Sequence, residues 1–165
     1  MKITSLESIV AAFLLALTPV GTAAFGEEAA GDSPPPGYAP GLGEIMSAIQ
    51  LRHAKLWFAG KAKNWPLAGY ELDELKEGFD DAAKLHPEHN GRPIAGRIGA
   101  LTAGPMEHLE RAVKDRDPAR FVKAYDELSQ SCTSCHRGSG CGFIRIGRPT
   151  VPPWTNQRFD LEPQP

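Results

Sequence analysis

The chain has 165 residues, with 18 basic against 20 acidic side chains and a formal net charge of −2. That length suits one domain and little more, and the near-balance of charge offers no basic face to nucleic acid. Hydrophobic residues make up 41 %, enough for an ordinary core once the ends are set aside.

Lys2 supplies a positive start, Ile9–Leu17 (IVAAFLLAL) is an unbroken apolar run, and Gly21-Thr22-Ala23-Ala24 offers small residues for cleavage. This three-part pattern predicts an export signal over residues 1–24, although Glu7 is an unusual guest in the charged region. The apolar run falls well short of the roughly 20 residues that a spanning helix needs. The expected location is therefore the periplasm, with an uncleaved anchor facing the periplasm as the alternative. Outside the cytoplasm a thiol pair oxidises unless something claims it. Three cysteines do not close into a simple disulfide framework. Residues 25–42, rich in Pro, Gly and Ala, read as a flexible linker.

From Leu42 a helical period begins. Ile45, Ile49, Leu56 and Trp57 fall on one broad face, with Met46 and His53 alongside, and the first helix is expected to run to about Lys63. Asn64 caps a second helix that opens on Trp65-Pro66 and repeats Leu72, Leu75, Phe79 and Ala82. His86–Pro93 (HPEHNGRP) is a turn by composition. A third helix carries Ile94, Ile98 and Leu101, then Leu109, Ala112 and Val113, with a kink or short break expected at Gly104-Pro105. Asp117-Pro118 opens a fourth, in which Phe121, Tyr125, Leu128, Cys132 and Cys135 share the inward face. Four amphipathic helices with short connections predict an all-α, antiparallel up-down-up-down bundle over residues 43–138. The proline-rich residues 139–165 are expected to run extended across the surface.

The chemistry sits in Ser131–Gly138 (SCTSCHRG). Cys-x-x-Cys-His is the attachment pattern for a c-type haem. Thiols three residues apart on a helix reach one vinyl group each, and the histidine that follows turns its imidazole to the iron. Cys132 and Cys135 are thus the expected thioether residues, His136 the proximal ligand, and one covalent haem c the cofactor. A structural zinc site would want a second ligand pair, and none exists in the sequence. A thioredoxin-like dithiol would open a helix in a βαβ setting, whereas this pair is expected near a helix end in an all-helical chain.

A single Cys132-x-x-Cys135-His136 near the end of the last of four helices, behind an export signal, resembles the cytochrome c′ class of four-helix-bundle cytochromes. The resemblance covers roughly Leu42–Gly138. Chains of that family usually end soon after the haem histidine, and this one departs by continuing from Arg137 to Pro165. The resemblance implies that the sixth iron position is either open beneath an apolar side chain or filled by a methionine of the first helix. It also implies a candidate homodimer through the first two helices.

In such a bundle the haem end also holds the start of the first helix and the turn between the second and third. Met106 and His108 would lie roughly 20 Å away along the third helix and are set aside as core and surface residues. Met46 is the first candidate for the sixth ligand. His53, roughly 10 Å further along the same face, is the second. An open or water-filled position, or His86 or His89 in the turn, completes the alternatives. Arg52, Arg145 and Arg148 are candidate partners for the haem propionates, and Trp154 and Phe159 are candidates to cover the haem edge. Cys141, in a loop near the haem end, is read as a semi-buried residue, with an intermolecular disulfide as the alternative.

The function these readings favour is a periplasmic monohaem cytochrome that carries single electrons and is not an enzyme. Its expected partners are redox proteins and the cytochrome c maturation machinery. The alternatives are a gas-binding haem protein for nitric oxide or carbon monoxide with an open distal site, and a small peroxidase that would use His53 as a distal acid-base group.

Overall fold

The computed structural model describes residues 37–153 and 156–161. The proposed signal, most of the linker and Trp154 lie outside them. Within the described residues the chain is all-α apart from one tiny hairpin. Helices α1 (Leu42–Lys61), α2 (Trp65–Leu85), α3 (Ala95–Lys114) and α4 (Pro118–Gly138) follow in order, and strands β1 (Glu88–His89) and β2 (Arg92–Pro93) lie between α2 and α3. Among the described residues no helix is long and apolar enough to cross a membrane.

The helix ends follow local chemistry. Lys63 takes a left-handed φ of 57°, which ends α1 a little before its expected limit. Asn64 Oδ1 then accepts from Leu67 N at 3.2 Å and caps α2. Asp117 Oδ1 accepts from Ala119 N and Arg120 N at the head of α4, and Pro118 follows at the first helical position. Between α2 and α3, Asn90 and Gly91 have φ values of 52° and 71°. Two positive values in succession make the primed turn that an Asn-Gly pair favours, and His89 pairs with Arg92 across it.

The third helix shows no break at Gly104-Pro105. Proline there forfeits the hydrogen bond to the Leu101 carbonyl. Buried Thr102, Met106 and Leu109 around it are held in the core, and that packing outweighs one lost bond.

The core is formed by Leu56, Trp57, Leu75, Phe79, Leu109, Phe121, Tyr125 and Leu128 with smaller neighbours. Helices α1 and α4 meet closely at one end only. A Cβ at Gly60 would strike the Phe121 ring, so glycine is what admits that ring. Next come the Trp57–Tyr125 ring pair, at 4.8 Å between centroids, and then His53 against Tyr125 and Ser129. Towards the start of α1 and the end of α4 the two helices are separated by a cavity.

The tail is seated rather than loose. Thr133 Oγ1 accepts from Ile146 N at 3.0 Å, and Arg148 pairs with Asp126 through Nε at 2.8 Å and Nη2 at 2.5 Å. The Arg148 guanidinium also lies 5.0 Å from the Trp57 ring centroid, and Phe159 is buried against Phe58. The tail thus runs back along α4 towards the far end of α1.

Candidate functional site

The end of α4 sets the site. Gly140 takes a φ of +84°. Gly140 N donates to the Arg137 carbonyl at 3.3 Å and Cys141 N to the His136 carbonyl at 2.8 Å. Together these form a Schellman cap, which turns the chain sharply and brings Cys141 back beside the helix it has just left.

Cys132, Cys135 and His136 line the cavity between the helices, of about 380 Å³, and Ser139, Cys141, Ile144 and Ile146 extend the same wall. The first helix contributes Leu42, Met46, Ile49, Gln50 and His53. Phe79 of α2, His89 of the hairpin, and Ile94, Ile98 and Thr102 of α3 complete it. The volume is that of a small-molecule site, and the lining is mainly apolar, with Gln50, His53, His89 and Thr102 set around it and the cysteines and His136 on the α4 side.

Cys132, Cys135 and Cys141 are all free thiols. Burial, with Cys135 adding to it, pushes the Cys132 thiol up to about 12. It therefore stays protonated, unlike the thiolate that a reactive dithiol needs. Among the described residues no three His, Cys, Asp or Glu side chains converge as a metal-ion site of their own would require. His136 Nδ1 is buried and has no hydrogen-bond partner.

His53 is a core histidine with both ring nitrogens engaged. Nε2 lies 3.0 Å from Ser129 Oγ and Nδ1 lies 2.9 Å from the Tyr125 hydroxyl. The Tyr125 hydroxyl also reaches the His53 carbonyl at 3.1 Å, and Ser129 Oγ reaches the Tyr125 carbonyl at 2.9 Å. These four contacts share three protons when the imidazole is neutral and four when it is charged. Charging the ring would gain a hydrogen bond, but burial dominates and pushes its pKa down to about 4.

The other sequence-predicted residues divide. Met46 is half-buried in the cavity wall with no polar commitment. His89 is exposed at the cavity mouth, whereas His86 Nε2 is 2.8 Å from the Pro40 carbonyl and is tied to the approach of α1. Met106 is buried and His108 is exposed beside Glu127, at 2.7 Å, both away from the cavity. Arg52 bonds to Glu71 at 3.3 Å and Glu74 at 2.7 Å, and Arg148 to Asp126, so both guanidinium groups are occupied. Arg145 lines a separate shallow hollow with Arg137, Gln130 and Ser134. Phe159 packs on Phe58 and is not part of the cavity wall; the tail residues that line it are Ser139, Cys141, Ile144 and Ile146.

Sequence reasoning missed Tyr125 and Ser129 as partners of His53, Arg92 and Arg97 beside the end of α4, and the buried Glu71. The available signal was helical spacing. Ser129 lies one turn after Tyr125 on the inward face, and a hydroxyl there calls for a polar partner on the facing helix. No protein-family model, curated protein or solved structure matches the chain.

Proposed function

We propose that the protein is an exported monohaem c-type cytochrome, built as an antiparallel four-helix bundle, that carries single electrons between redox proteins. The observation that carries this reading is the Cys132-x-x-Cys135-His136 run on the wall of a mainly apolar cavity of about 380 Å³, faced by Met46, Ile49, Phe79, Ile94 and Ile98. A flat, mostly apolar ring with two thiol-reactive vinyl groups and a metal that takes imidazole suits such a wall. Cys132 and Cys135 would hold it by thioethers and His136 would face the iron. When bound, the haem supplies a one-electron iron couple. The chain keeps the ring dry with Ile49, Phe79, Ile94 and Ile98, and this low-dielectric surround helps set the reduction potential.

For the sixth position the reading favours Met46. It faces the cavity with an uncommitted thioether, whereas the nitrogens of His53 are both engaged by Tyr125 and Ser129. The same engagement weighs against His53 as a peroxidase acid-base group. The protonated Cys132 thiol weighs against a redox dithiol, and the lack of three converging His, Cys, Asp or Glu side chains among the described residues weighs against zinc.

The test is the visible spectrum of the purified, haem-loaded protein, oxidised and reduced, with and without carbon monoxide. Electron carriage with Met46 ligation predicts low-spin bands that ignore the gas and turn high-spin in Met46→Ala. High-spin bands that shift at once with carbon monoxide in the unmodified protein would replace this reading with gas binding. Protein that gains no covalent haem when produced with the attachment machinery would end both.

A further inference from the structure

Among the described residues three buried polar side-chain atoms lack a hydrogen-bond partner: Arg97 Nε, His136 Nδ1 and Ser139 Oγ. All three lie where the first turn of α3 meets the end of α4. A Cβ at Gly138 would collide with the Arg97 guanidinium, and one at Gly140 with that of Arg92. Both arginines therefore rest on the backbone of the turn that carries Ser139 and Cys141 into the cavity wall. Their own neighbours His89, Ile94 and Ile98 line the cavity from the other side.

Neither arginine has an anion. Arg92, Arg97, Arg116, Arg137 and Arg145 have no ion pair among the described residues, and of these only Arg97 also buries a nitrogen, Nε, without a partner. An arginine nitrogen taken out of water without a partner is costly, and native chains rarely leave one so. The guanidinium fork matches a carboxylate. The proposed haem brings two carboxylates, its propionates, attached to the ring the cavity would receive.

We infer that Arg97, together with the likewise unpartnered Ser139 Oγ, holds one haem carboxylate at this end of the cavity, and that Arg92 holds the other. This rests on the function proposed above. It moves the role away from Arg52 and Arg148, which are committed to Glu71, Glu74 and Asp126.

The experiment measures the reduction potential and the carboxylate vibrations of the haem-loaded protein by resonance Raman, in R97Q, R92Q and R145Q. Thioethers at Cys132 and Cys135 keep the haem attached in all three. R97Q and R92Q are expected to lower the potential, because a positive charge beside the ring favours the reduced state, and to shift the carboxylate band. R145Q is expected to leave both unchanged. Gly138→Ala keeps every charge but puts a methyl group where the Arg97 guanidinium lies, so it should reproduce the R97Q band shift even if R97Q folds poorly. Unchanged potential and bands in R97Q and Gly138→Ala would overturn the inference, as would an equal effect of R145Q. In those cases the unmodified protein still contains covalent haem and the proposed function stands; its lack of haem would remove both.

Discussion

At the scale of single residues, two buried polar groups are handled in opposite ways. His53 stays neutral inside a hydroxyl-rich pocket. Its ordinary pKa of 6.5 falls to about 4 on burial. Between those values the unfolded chain takes up a proton that the folded chain refuses. Stability therefore falls as pH drops through that window, by up to about 3 kcal/mol, and is unaffected above it. In His53→Leu the hydroxyls of Tyr125 and Ser129 keep their backbone acceptors, so most of this acid sensitivity should disappear. Urea unfolding at pH 7 and pH 4.5 measures it, and equal acid losses in both proteins would contradict the assignment. Glu71, 1 % exposed, instead keeps a partner in Arg52. Burial pushes its carboxyl above the usual range, and the charge of Arg52 works against that push. Arg52→Met leaves the carboxylate buried and unpaired and should cost about 3 kcal/mol. It should leave the reduction potential unchanged, because Arg52 is committed to Glu71 and Glu74.

At the scale of elements, α1 and α4 form a wedge, closed at Gly60–Phe121 and open at the cysteines. The closed end depends on a missing side chain. Gly60→Ala would gain helix propensity but force the Phe121 ring aside. Overpacking of this kind costs about 1–3 kcal/mol, more than the propensity returns. A lowered thermal midpoint with an unaltered haem spectrum would show that the closed end bears on stability and not on the site. The tail is a second such element. Ile144 and Ile146 belong to the cavity wall, whereas Arg148 and Phe159 fasten the chain to α4 and α1. A chain ended after Gly147 should lose about 2 kcal/mol, mainly the burial of Phe159. Its reduction potential should match that of the full chain, and a clear shift would mean that the later tail residues also shield the haem.

At the scale of the whole molecule, a cavity of about 380 Å³ runs through one end of a small core. A folded chain that encloses so much apolar space gains from a ligand that fills it, because anything bound only to the folded state stabilises it. The Cys132→Ser, Cys135→Ser double variant should therefore keep most of its helical circular dichroism while melting several degrees below the haem-loaded protein. Equal melting temperatures would argue that the cavity serves no bound group.

Much of this was legible along the chain because it is written in local chemistry. Four apolar stripes at helical spacing, the Asn64 and Asp117 caps with Pro66 and Pro118 behind them, and the Asn90-Gly91 turn each act within a few residues, and each is found where the sequence predicts it. The Cys-x-x-Cys-His run is likewise local, and it lies near the end of α4 as expected. No break follows at Pro105, because the cost of a proline is local, whereas the burial of Met106 and Leu109 that outweighs it comes from other helices. The surroundings of Met46 and His53 were equally closed to sequence. Both lie on one helical face, and only the approach of Tyr125 and Ser129 from α4 engages both nitrogens of the histidine. Arginine pairing follows the same rule. Ten arginines look alike in the sequence, and only tertiary structure decided which meet carboxylates and which two rest, without an ion pair among the described residues, on the turn after the Cys-x-x-Cys-His run.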